Sequence, residues 1–472
     1  MEGEKDGVNA TPCLSWISWS CATLFFVFAF FQRTAPSVFV SHLSEEFSLS
    51  AAGAGALASS YFYAYAAVQI PLGILLDRFG PLPVLCVTAL LAAGASLLFA
   101  VAQSLWLLSV ARLLVGGLVG GGWLSILQIS STDPTFQQTK TSITGLSMLI
   151  GLGGGVLGQG PLALGVAQSG WRLCMGLVAV VPLFTSLALF LVWRMRAKQD
   201  LSAASAIAAS TKISMTQQLH IVCSNPVNIF LAIYSVFAFA PLLAFGSLWA
   251  VPFFTQVGGT DTATSGVLAS IFLIGTGIGS PLCGALSDRY HGKRRTIMIS
   301  GLALSLISMV LIIFGTGTFL SLKLVGLFMF CAGLGSAPAQ LLAFFVANHH
   351  NDSSVVAAAL ATVNTAGLCA GAIFQPLTGI LLDMGGSVEM VEMVAVVNKT
   401  AGLEQQQQQQ RQWSPDHMRT VYAGVYFSCY IISGFIAGFV LPLFEQKEEQ
   451  RNDDDADADA DADDVVPSTV VL

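Results

Sequence analysis

The sequence predicts an all-α membrane protein with twelve transmembrane helices in two duplicated six-helix halves. Three observations carry that prediction. The 472-residue chain is 54% hydrophobic and only 10% charged, where an average soluble domain is about 25% charged. Its mean hydropathy is +0.72, and so few charges could not cover a soluble globule of this size. Twelve apolar runs recur along it, each longer than the ~20 residues that cross a hydrocarbon core of about 30 Å. A short charged motif also returns at matching places in the two halves.

The runs lie at 14–42, 51–76, 82–102, 104–130, 142–168 and 171–193, then at 226–254, 262–286, 296–316, 320–347, 355–382 and 420–444. Backbone polar groups in lipid must be satisfied within the segment, so unbroken runs of this length suit helices rather than barrel strands. The domain plan follows: an N-terminal segment 1–13, a first half 14–193, a polar central loop 194–225, and a second half 226–444 containing a loop at 383–419. An acidic tail, 445–472, ends it. Residues 1–13 carry Glu2, Glu4 and Asp6 with no basic stretch before the first run and no small-residue cleavage site. That run reads as a retained helix rather than a signal peptide.

Charge sets the expected orientation. The formal net charge is −7, but Glu445–Leu472 alone holds 11 acids and two bases, giving −9. The body is therefore +2, with no basic surface suited to nucleic acid. With both termini cytoplasmic, 13 of the 20 Lys and Arg fall on the inside, five outside, and only Arg33 and Arg112 within spans. That bias follows the positive-inside rule. The Asp-Ala alternation in the tail and the run Gln405–Gln410 read as solvated low-complexity segments. The nine cysteines lie singly, with no disulfide framework and no metal-ligand spacing. Asn398-Lys399-Thr400, in the loop placed outside, is an acceptor pattern for N-glycosylation.

Internal repetition supports the two halves. Gly73-Ile74-Leu75-Leu76-Asp77-Arg78 follows the second run, and Gly284-Ala285-Leu286-Ser287-Asp288-Arg289 follows the eighth. The fifth and eleventh runs echo more weakly, each with a Gln four residues after a Gly, at Gln159 and Gln375. Two matches in register indicate duplicated halves. Twelve helices with these paired motifs resemble the major facilitator superfamily over residues 14–444. Arg112 with Gly116 and Gly117 resembles its fourth-helix signature, and Gly170-Trp171-Arg172 its turn before helix six. Gly160-Pro161 is similar to the antiporter motif but lacks its full glycine spacing. FFQRTAPSVFV, YFYAYAAVQIPLGILLDRFG, SLWAVPFF and GAIFQPLTGILLD are similar to a bacterial-type group that includes relatives of the lysosomal dipeptide transporters. Pro81-Leu82-Pro83 replaces the basic residues usual after Gly80, and His291 adds a residue to the second copy. The resemblance implies alternating access, with Gly73, Asp77, Arg78, Gly284, Asp288 and Arg289 as gating parts.

Arg33 and Arg112 are the sharpest chemical feature. Arginine within a span is costly and faces a cavity or a partner. At 1.5 Å per residue both lie roughly 12–14 Å from the same end of their helices. In the superfamily the first and fourth helices line one cavity wall, so two guanidiniums there form a site for a carboxylate or phosphate. Snorkelling is the bland alternative for Arg33, and a structural or gating role for Arg112. Gln32 neighbours Arg33. Tyr61, Tyr65 and Gln69 recur every four residues on one face of the second helix, and Asn364 and Gln375 share a face of the eleventh. Tyr234 and Trp249 lie on the seventh. Each of these suits interhelical bonding as well as substrate contact.

No Asp or Glu lies deep within any span, which disfavours proton coupling. The expected activity is uniport or exchange of a small anionic or zwitterionic solute in a lipid bilayer, with dipeptides or amino acids favoured by the resemblance. An organic-anion or organophosphate transporter of the same fold is the first alternative. A transport-inactive sensor or scaffold recruiting partners through its tail is the second. No cofactor, metal site or enzyme chemistry is expected.

Overall fold

The computed structural model describes residues 12–136, 138–200, 215–289, 294–351, 355–400 and 413–442. The expectations for the N-terminal segment up to residue 11, the glutamine run and the acidic tail lie outside the described residues.

Among the described residues, twelve long helices follow in order. α1 is Pro12–Thr34, continued by Pro36–Glu46; α2 is Ala51–Phe79 and α3 Pro81–Val101. α4 is Leu105–Thr132, α5 Ser142–Ser169, α6 Trp171–Arg196 and α7 Pro226–Gln256. α8 is Thr262–Arg289, α9 Arg294–Gly315, α10 Leu322–His349 and α11 Val356–Thr400. α12 is Pro415–Phe435, extended by Ile436–Val440. Eleven of them are long and apolar enough to cross a membrane. α2, at 29 residues, is long enough to be the twelfth.

Local chemistry sets the ends and breaks. Ser50, Ser104, Asn225 and Ser414 cap the starts of α2, α4, α7 and α12, their side chains accepting backbone N–H bonds. Gly80 and Gly170, both at φ +79°, turn α2 into α3 and α5 into α6, a backbone region that side chains with a Cβ resist. Pro36 has no N–H to donate and breaks α1 at Ala35. Past Pro241, α7 is wound as a π-helix over Pro241–Trp249, a form that concentrates at functional sites.

Three helices outrun the apolar stretches that announce them. The helix that forms α6 continues to Asp200, α12 begins at Pro415 rather than 420, and α11 runs to Thr400, into the stretch read as a loop at 383–419. The central loop also contains a helix, Met215–Ser224. Hydropathy marks the length of chain in lipid. It does not stop a helix whose next residues, such as Arg194, Arg196 and Lys198, are themselves good helix formers.

The two halves repeat one packing plan. In the first, α1 packs on α5, α2 on α4 and α3 on α6; in the second, α7 packs on α11, α8 on α10 and α9 on α12. The halves meet where α2 lies along α11 and α5 along α8. We call the end where α1 begins and α12 finishes the terminus face, and the other the far face. On the terminus face, Arg196 bonds Ser15 and Asp133, each at 3.0 Å. Burial of Asp133 would raise its pKa, but hydrogen bonds from Ser15, Thr135 and Arg196 outweigh it and hold the carboxyl below its ordinary value. On the far face, Arg172 donates to the Ala100 and Ala102 carbonyls, at 3.0 and 2.7 Å, and pairs with Glu46.

Hydrogen bonds link the halves from the far face to mid-depth. Gln159 donates to the Gly246 carbonyl at 2.5 Å, and the Gly160 N–H to Ser270 Oγ at 3.0 Å. The Tyr63 hydroxyl donates to the Ala372 carbonyl at 2.7 Å. This last bond has a covalent cause. Pro376 cannot donate to the carbonyl four residues back, which is Ala372, and in lipid that oxygen needs another donor. Toward the terminus face, among the described residues, nothing lies within 4 Å of where a Cβ would stand on Gly73 or Gly284.

Candidate functional site

Arg33 and Arg112 are both buried, 7% and 2% exposed, far below what a snorkelling side chain shows. Arg33, in the last turn of the first α1 segment, projects into a cage of aromatic faces. Its Cζ stands 4.4 Å from the Phe30 ring centroid and 5.9 Å from those of Phe62 and Tyr65. Arg112, on α4, lies with its Cζ 4.9 Å from the Tyr61 centroid. Tyr61 stacks on Tyr65 at 6.0 Å, so the two guanidiniums rest on one continuous aromatic surface of α2. Cation–π contact stabilises a cation in a dry site without using its hydrogen-bond donors.

Those donors are left over. Arg33 Nε, Arg112 Nε and Nη2, and Gln69 Nε2 are buried without a hydrogen-bond partner. Arg112 also lines a small pocket walled by Pro36, Phe39 and Leu43. The close fit of α2 on α4 fixes the geometry, since Gly116 places the α4 backbone directly against the Tyr61 backbone. Tyr61 itself is held by a 3.0 Å bond from its hydroxyl to the Ala29 carbonyl on α1. A buried charge without a counter-charge is costly, and no acid lies deep in any span to supply one. The arrangement is chemically fit to take an anion.

The other expected residues are not gathered there. Gln32 turns away toward α3, donating to Ser96 Oγ at 3.2 Å. Tyr234 donates to the Ala339 carbonyl at 2.8 Å, tying α7 to α10. Trp249 donates to the Gln375 carbonyl at 3.1 Å, and Gln375 to the Leu243 carbonyl at 2.8 Å, tying α7 to α11. Asn364 is half-buried on α11. Of these acceptors, the Leu243 carbonyl lies in the π-wound stretch of α7, where the regular helical hydrogen-bond pattern is interrupted. Among the gating residues, Arg78 lies over Phe79, Cζ to centroid 5.3 Å, and is exposed, as is Arg289. The Asp77, Asp288 and Asn398 side chains lie outside those described.

Sequence reasoning missed Phe30 and Phe62 as walls of the arginine cage, and missed Tyr63 as an inter-half donor. Phe30, three residues before Arg33, is a helical neighbour that periodicity could have named. Tyr63 was legible only through Pro376, whose missing N–H implies an orphan carbonyl one turn earlier.

Known proteins share this architecture. The family model described as Major Facilitator Superfamily matches residues 22–372. A probable sulfoacetate transporter of Cupriavidus necator is 23% identical over 385 residues, covering 79% of this chain and 88% of its own. A hexuronate transporter of Bacillus subtilis is 26% identical over 372 residues, covering 76% and 86%. Among solved structures, a bacterial homologue of the human lysosomal transporter Spinster, inward-facing and unoccupied, superposes with a TM-score of 0.70 at 16% identity, covering 92% of this chain and 98% of its own.

Proposed function

Since the chain belongs to the major facilitator superfamily, we propose that it is a secondary transporter of a small organic anion, working by alternating access with Arg33 as the anion's anchor. One observation carries the reading: two buried guanidiniums share an aromatic floor, keep unpartnered N–H groups, and have no acid deep in any span to neutralise them. A carboxylate, sulfonate or phosphate supplies the missing charge, and a guanidinium binds each of these through paired N–H donors.

The same charge balance ranks the solutes. A dipeptide or amino acid also brings an ammonium group, which needs an acceptor carboxylate in the site. None lies deep in the spans, and Phe30 and Tyr65 already face Arg33. Simple organic anions therefore come before zwitterions. The names of the two relatives, sulfoacetate and hexuronate transporters, point the same way. Without an intramembrane acid to carry a proton, the expected mode is uniport or anion exchange. The positive-inside bias places the terminus face in the cytoplasm.

Uptake by proteoliposomes offered sulfonates, uronates, dicarboxylates, phosphate esters and dipeptides, with and without a pH gradient, tests the reading. Expected is anion uptake indifferent to the gradient and lost in Arg33→Ala. Uptake of neutral sugars alone, or concentration driven by the pH gradient, would overturn it.

A further inference from the structure

The far ends of the two halves are joined by a carboxylate that no site residue above includes. Asp383, near the far face on α11, accepts the Ala51 N–H at 3.0 Å through Oδ1 and the Ala52 N–H at 2.8 Å through Oδ2. Both donors belong to the first turn of α2, in the other half. The next N–H, of Gly53, goes to Ser50 Oγ at 3.1 Å. Three of the four N–H groups that a helix start leaves open are thus satisfied, one by the local cap and two across the interface. The carboxylate also sits at the positive end of the α2 dipole.

The surroundings are built for that contact. Gly379, one turn before Asp383, has no side chain, and a Cβ there would land on the Ala51 carbonyl oxygen. A Cβ on Gly55 would lie 2.5 Å from the Gln375 carbonyl oxygen. His417, at the start of α12, places Nε2 3.1 Å from the Leu381 carbonyl oxygen and 3.3 Å from that of Leu382. It holds the turn that carries Asp383 in place. The segment Gly379–Asp383 repeats, residue for residue, the Gly73–Asp77 segment at the opposite end of α2, so part of the motif expected to gate one face recurs at the other.

We propose that Asp383 is the latch of the far gate: its carboxylate completes the cap of α2 only while the far ends are together, and transport requires that contact to break and re-form. Separation leaves two helix-terminal N–H groups and a carboxylate without each other, so the latch biases the transporter toward the far-closed state seen here. The proposal rests on the alternating-access reading but not on which solute is carried.

Hydrogen–deuterium exchange of the whole protein in lipid nanodiscs tests it without any ligand. Three segments report on the far interface: 51–58 on α2, and 155–166 with 262–275, where α5 meets α8 at the Gly160–Ser270 bond. The last two do not touch Asp383. Asp383→Ala is expected to speed exchange in all three by about tenfold, as loss of hydrogen bonds to a charged group predicts. Faster exchange confined to 51–58 would mean that the helix end merely frays, and no change anywhere would mean that the contact holds nothing; either overturns the latch. Ala51→Pro is the second variant. Proline is welcome at the first helical position, and Ser50, at φ −72° and ψ 168°, already has the extended backbone that precedes one. The variant removes one latch donor while α2 stays folded, and a smaller rise in the same three segments is expected. Loss of organic-anion uptake with the exchange response intact would sink the solute assignment alone.

Discussion

The two halves share one packing plan but spend their polar groups differently. In the first, Arg33 and Arg112 are buried against aromatic faces with N–H groups to spare. In the second, Tyr234, Trp249 and Gln375 each donate to a backbone carbonyl. Both halves place glycines at backbone crossings: Gly116 puts α4 on the Tyr61 carbonyl, and Gly333 puts α10 on the Phe272 carbonyl. The difference teaches that duplication preserves the scaffold, where sterics leave little choice. It leaves polar side chains free to diverge: among the described residues only the first half buries arginines, while both halves carry side-chain bonds to backbone carbonyls.

If that contrast holds, substitutions should separate transport from stability according to half. Arg33→Ala carries the largest expected effect, about a 100-fold loss of transport efficiency, as for truncating one partner of a buried charge pair. Thermal unfolding of the ligand-free protein should barely move, because the lost charge had no counter-charge. A transport defect matched by an equal fall in Tm would break the comparison. Gly116→Ala and Gly333→Ala come next. Each added methyl meets backbone rather than a movable side chain, and overpacking of that kind costs about 1–3 kcal/mol. Denaturation should show similar losses for both variants, since the scaffold is shared.

Tyr234→Phe should cost about 1 kcal/mol, the ordinary worth of a buried hydrogen bond. Transport per folded molecule should remain intact, a pattern opposite to that of Arg33→Ala and readable by pairing a melt with initial uptake rates. Smallest is the effect of Gly73→Ala and Gly284→Ala on the stability of this state. Among the described residues nothing lies within 4 Å of either added methyl, and exchanging Gly for Ala within a helix gains at most about 1 kcal/mol. Unequal shifts in Tm between these two motif copies would show that the halves differ in scaffold as well as in polar chemistry.

Much of this was readable from the chain. Twelve helices, their approximate ends, the doubled halves and the two buried arginines came from hydropathy, glycine-rich motifs and the cost of charge in lipid. These are consequences of composition along one dimension, and a span must be apolar and long whatever its neighbours do. Side-chain direction was not readable in the same way. Gln32 adjoins Arg33 in sequence, yet it faces Ser96 on α3, because consecutive residues of a helix point about 100° apart. Nor did the sequence say which helix start Asp383 would meet.

What the sequence determined by itself, then, is what the bilayer imposes on any chain: helices of spanning length, charges confined to their ends, and two exceptions that demand a purpose. The tertiary structure decided which of the polar groups meet. Packing α2 on α4 set Arg112 over Tyr61, and laying α2 along α11 brought Asp383 to the Ala51 and Ala52 N–H groups from more than 300 residues away. Such meetings depend on distances between helices, which no periodicity within one helix can encode.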